Sequence, residues 1–135
     1  MSSEKFRIDY PMNKSAMAQW CAEYGLNSIY KGKHWAKRKK DADYWHILTQ
    51  NAMRKANCRS TPFKRPVLIT FRWNDNLDLS NHAYIAKMIE DAMKGCIIKD
   101  DSKEYVHGIC HYFHDEPYIA VTVCEIGDIH GAAEK

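Results

Sequence analysis

Residues 66–113 read PVLITFRWNDNLDLSNHAYIAKMIEDAMKGCIIKDDSKEYVHGICHYF. The first eight, β-branched and aromatic, predict a strand. "NDNLDLSN" (74–81) is a loop of turn and cap formers. Ile85, Met88, Ile89, Ala92 and Met93 then recur at i, i+3, i+4, i+7 and i+8, the apolar stripe of a helix. Ser80 or Asn81 is the expected N-cap and Gly95 the expected stop. "KDDSKEY" turns the chain into a second, long strand. This strand–helix–strand unit decides the architecture.

Outward from it, "KFRIDYP" (5–11) alternates like a short strand stopped by Pro11. "NKSAMAQWCAEYGLN" (13–27) predicts a helix capped by Ser15 and ended by Gly25. "GLNSIYKGKHW" (25–35) reads as a loop with two glycines. From Trp35 to about Ala56 nothing breaks a helix; Trp45, Leu48 and Ala52 share a stripe that Tyr44 and Ile47 extend. "CRSTPFKRP" (58–66) is a turn-rich connection, and "YIAVTVCEI" (118–126) is a last strand, paired as a hairpin with the one before it. The order β-α-α-β-α-β-β predicts one α+β domain over 1–135, a small mixed sheet with helices packed on it, and a loose tail at 127–135.

The chain has 135 residues, 45% of them hydrophobic, enough for a core and against disorder. No apolar run approaches the ~18 residues of a membrane span, and "MSSEKFRIDYPMNKS" has no apolar signal core. Five scattered cysteines without a CxxC pair predict reduced thiols in a cytosol, several of them buried. No glycine spacing builds a nucleotide phosphate loop. His107 and His111 share a strand face, but Cys110 points away from both, which argues against zinc.

The net charge of +3 hides an asymmetry. Residues 31–65 carry eleven Lys/Arg and two Asp; the rest carries nine basic and fifteen acidic residues. "KGKHWAKRKK" (31–40) concentrates Lys31, Lys33, Lys37, Arg38 and Lys40 around Trp35, with Lys33, Lys37 and Lys40 on one helical face. Cations at a helix start oppose its dipole, so the run predicts phosphate contacts with DNA. Trp35 is read either as core, the commoner fate of a lone Trp, or as a residue that stacks on a base or wedges a junction. In the opposite sense, Asp75, Asp78, Glu90, Asp91, Asp100 and Asp101 fall within 27 residues. If the strands before and after the helix are neighbours, the Asp78 loop and the Asp100–Asp101 turn are expected to approach. Carboxylates that meet repel unless bridged by a cation. Oxygen donors without His/Cys spacing favour Mg²⁺ or Mn²⁺. Lys87 and Asp91 are placed to pair at i, i+4, and His82 is the nearest histidine for a general base.

"DLSN" (78–81), "KMIEDAM" (87–93) and "KDDSKEYV" (99–106), with "LNSIYKGKHW" (26–35) upstream, resemble the motifs of the RusA-type Holliday junction resolvases of phages and prophages. The resemblance spans about residues 27–126. It implies a homodimeric, cytoplasmic, Mg²⁺-dependent (or Mn²⁺-dependent) endonuclease that nicks branched DNA in pairs. Carried over, Asp78 and Asp101 are catalytic metal ligands with Asp100 and Asp91 beside them, Lys87 is the catalytic lysine, and Ser80 and Asn81 support the loop. The dimer surface is not legible in the sequence; the apolar outer residues of the last strand, 118–126, are one candidate. The chain departs from the pattern at Ser80, where the family has a second Asp, and in a longer gap from Asn81 to Lys87. Asp75, Asp91 or Asp100 then completes the site, or the chain belongs to a subgroup with its own Ser-Asn loop, or activity is reduced; the undiminished carboxylate number favours the subgroup. The alternative is a non-catalytic DNA-binding phage accessory protein.

Overall fold

Val67, Ile69, Phe71 and Trp73 alternate along one strand and are all fully buried, and this strand has a hydrogen-bonded neighbour on each edge. The computed structural model describes residues 2–126; the tail expected at 127–135 lies outside them. Its elements are β1 (Ser3–Asp9), α1 (Lys14–Tyr24), α2 (Asn27–Tyr30), α3 (Trp35–Lys55), β2 (Val67–Trp73), a 3₁₀ turn (Leu79–His82), α4 (Ala83–Met93), β3 (Val106–Phe113) and β4 (Tyr118–Glu125). They form an α+β fold with a four-stranded mixed sheet in the order β1-β4-β2-β3.

β2 and β3 run parallel, from Val67↔Val106 to Trp73↔Phe113, with α4 as the crossover. β4 pairs antiparallel with β2 on the other side (Thr70↔Thr122) and with β1 (Phe6↔Val121). The expected hairpin between the last two strands does not form, because β2 lies between them. Four residues, His114–Pro117, carry the chain across the end of β2. They reach up to about 13 Å, against about 10 Å for passing one strand. The His114 amide ties the crossing down by donating to the Trp73 carbonyl at 3.0 Å.

One sheet face (Phe6, Ile8, Ile69, Phe71, Ile119, Val121, Val123) packs on Trp45 and Met53 of α3 and on the predicted stripe of α4, whose Ile85, Met88, Ile89, Ala92 and Met93 are all buried. Each such side chain contributes roughly 1.5–3 kcal/mol on burial. The other face presents Leu68, Thr70, Arg72, Cys110, Ala120, Thr122 and Cys124, all partly exposed. The inward stripe of α3 is Asp41, Trp45, Thr49 and Met53, while Tyr44 and Ile47 are exposed. That correction follows from Asp41, an acid that the helix buries.

Asn13, not Ser15, caps α1, accepting from the Ala16 amide at 2.8 Å. Residues 27–30, expected as loop, form a helical turn. The turn Leu79–His82 precedes α4, so neither Ser80 nor Asn81 is its N-cap; His82 stands there without a side-chain cap bond. Gly95 leaves α4 at φ +81, a backbone conformation that favours glycine. All five cysteines are free and partly exposed rather than buried. Among the described residues no helix is long and apolar enough to cross a membrane.

Candidate functional site

The acidic residues resolve into two groups of opposite character. Just past the end of β2, the side chains of Asp75 and His82 are both fully buried. The His82 Nε2 lies 2.8 and 2.9 Å from the two carboxylate oxygens, and its Nδ1 lies 3.0 Å from the Leu79 carbonyl. A carbonyl only accepts, so Nδ1 carries a proton. Asp75 also accepts from the Leu77 amide at 2.9 Å and the Tyr10 hydroxyl at 2.7 Å, and that hydroxyl accepts from the Asn74 amide. Burial and the Asp75 charge push the Tyr10 phenol well above its usual range. The Trp73 ring stacks on His82 at 4.1 Å and donates its indole N–H to His111. The expectation of His82 as a general base is thereby corrected: no face of it reaches solvent, and the pair fixes the base of the 74–82 loop.

The second group lies on the outer side of α4. Lys87 Nζ pairs with Asp101, with Asp91 Oδ1 at 3.2 Å and, more loosely, with Glu90 at 3.9 Å; Lys94 Nζ is 3.1 Å from Asp91 and 3.0 Å from Asp101. The i, i+4 expectation for Lys87 and Asp91 is met. Bonding to Lys87 and Lys94 holds the Asp101 carboxyl far below its ordinary value, and bonding to Asp101 first, then Asp91, raises Lys87. Glu90 is raised by burial, against the pull of Lys87. Lys94 escaped the sequence reading, although it stands two turns beyond Lys87 on the same face.

Asp78 does not join this network. The parallel register places the loop after β2 and the turn before β3 at opposite ends of the strand pair, about 20 Å apart for a seven-residue strand. The expected approach of Asp78 to Asp101 holds for antiparallel neighbours and fails for parallel ones. Asp78 and Asp100 are exposed, and among the described residues neither side chain enters an ion pair with the network. Asp75, weighed as a replacement for the missing acid, is committed to His82.

The loop that carries Asp78 is tied to the segment that leads into the basic run: the Leu26 amide donates to the Asn81 carbonyl at 3.0 Å and the Asn27 amide to Asn81 Oδ1 at 3.2 Å. Gly25 permits this approach, since a Cβ there would stand 2.9 Å from the Cys21 carbonyl oxygen and 3.0 Å from Leu77. Asn81 thus joins the 74–82 loop to residues 26–27, whereas Ser80 is exposed. Of the expected DNA contacts, Lys33 is withdrawn. Its side chain is only 9% exposed, it precedes α3, and its ammonium pairs with buried Asp41 and donates to the Glu23 carbonyl. Lys37 pairs with Glu23 and, at 3.5 Å, with Asp41, and Tyr84 donates to the same carboxylate. Lys31, Arg38 and Lys40 are exposed and make no ion pair among the described residues. Trp35 is 67% exposed and Tyr30 77%, which removes the core reading of Trp35.

Among the described residues no group of three or more His, Cys, Asp or Glu side chains is placed to hold a metal ion. Asp91 and Asp101 share their lysines. Each of these carboxylates is already paired with both ammoniums. No protein-family model matches the chain, and no curated protein matches it.

Proposed function

We propose that the chain binds branched DNA and cuts it by divalent-metal-dependent hydrolysis, as the RusA resemblance implies, but at a site that Asp78 does not join. The observation that carries this reading is the convergence of Lys87, Asp91 and Asp101 on one solvent-open face. Asp91 and Asp101 would hold Mg²⁺ or Mn²⁺. Such an ion supplies an acidified water and neutralises phosphodiester charge. With the metal on these carboxylates, the Lys87 ammonium would be released from them to face a phosphate. Lys31, Arg38 and Lys40 supply backbone affinity, and Tyr30 and Trp35 offer flat rings to bases. Paired nicks need two sites, which a two-fold homodimer supplies.

A second reading, a non-catalytic DNA-binding accessory protein, is favoured by one observation: Asp78 lies away from the carboxylate pair. A synthetic four-way junction incubated with Mg²⁺ or Mn²⁺ separates the two. The nuclease reading expects paired nicks from the wild type and their loss in Asp101→Asn and Lys87→Ala, with junction binding retained in both. Junction binding by the wild type without metal-dependent nicking establishes the second reading instead.

A further inference from the structure

The eleven cations of residues 31–65 do not form one surface. α3 carries Lys31–Lys40 at or before its start and Lys55 at its end, about 30 Å apart for 21 helical residues. At that far end residues of β1, of β4 and of the end of α3 line a groove of about 400 Å³. Lys5, Arg7 and Lys55 line it, over a floor that includes Ala52, Ala56 and Ala120, and no acid lines it. All three cations are exposed, and none makes an ion pair among the described residues; Arg7 lies over the Tyr118 ring at 4.8 Å. Three cations without an ion pair, around one groove that no acid lines, match a row of phosphates.

We infer that this groove is a second DNA-backbone track, which holds one arm of a branched substrate while residues 31–40 hold another. The inference rests on the DNA reading above and adds to it that the substrate must present two helical segments to one protomer. A single straight duplex has no need of both tracks.

The test compares the full chain with the triple variant Lys5→Ala/Arg7→Ala/Lys55→Ala, its fold checked by thermal melting. Affinity is measured across a salt series for a four-way junction and for a linear duplex. Each phosphate contact contributes about 0.9 to the slope of log K against log[salt]. The junction slope is expected to become shallower by about 2.7 in the variant, with the duplex slope unchanged. An unchanged junction slope overturns the inference and leaves the DNA reading standing. An equal loss for duplex and junction also overturns it, since the groove then belongs to one continuous track. A wild type that binds neither DNA removes the DNA reading itself.

Discussion

The molecule holds two carboxylate-centred groups, one within residues 75–82 and one within residues 87–101, and they do different work. Asp75 and His82 are sealed under Trp73; Lys87, Asp91, Lys94 and Asp101 meet water. In the dry group every proton and lone pair is committed, and the geometry can serve only the fold. In the wet group the pairs exchange with solvent, contribute little to stability and remain available to a ligand. Burial, not residue type, separates structure from chemistry here.

His82→Ala attacks the comparison most strongly. It leaves the Asp75 charge buried without its partner, which costs about 3–5 kcal/mol, read as a lower urea midpoint. A loss below about 1 kcal/mol would mean that water reaches the pair. Asn81→Ala sits between the groups: it removes the side-chain bond to Asn27, costs about 1 kcal/mol, and weakens DNA binding by loosening residues 26–40. Unchanged DNA affinity would show that the segment holds its shape alone. Trp35→Ala is expected to change stability by less than about 0.5 kcal/mol while lowering affinity for DNA with unpaired bases; a large stability loss would mark it as packed after all.

The smallest effect is one of pH. Asp101 has its folded pKa depressed, so its stabilisation is present above the ordinary value of 3.8 and disappears as pH falls below it. Glu90 has its folded pKa raised, so its contribution has the opposite sign: it is present below the ordinary 4.5 and lost as pH rises through the folded value. Asp101→Asn is expected to flatten the fall of stability below about pH 4, and an unaltered acid limb would show that Asp101 is not paired in solution.

The stripe of α4 and the Lys87–Asp91 spacing were legible because both are local: helical periodicity fixes them whatever surrounds the helix. The direction of β3 was not, since alternation reads the same for parallel and antiparallel strands, and that one bit decided where Asp78 went. Asp41 was hidden in a run of lysines that looked solvated. Tyr10, 65 residues from Asp75, carried no signal that it would reach it. Lys33 looked like a DNA contact because composition does not reveal a buried counter-charge.

The position of β1 has a consequence during synthesis. Its ladder partner is β4, more than a hundred residues downstream. While the ribosome is still making the second half of the chain, Ser3–Asp9 has no strand to join. The α3–α4 layer and the β2–β3 pair can assemble first, and closing such a distant pairing is intrinsically slow. β1, made more than a hundred residues before its partner, is therefore expected to be the last of the four strands to take its place.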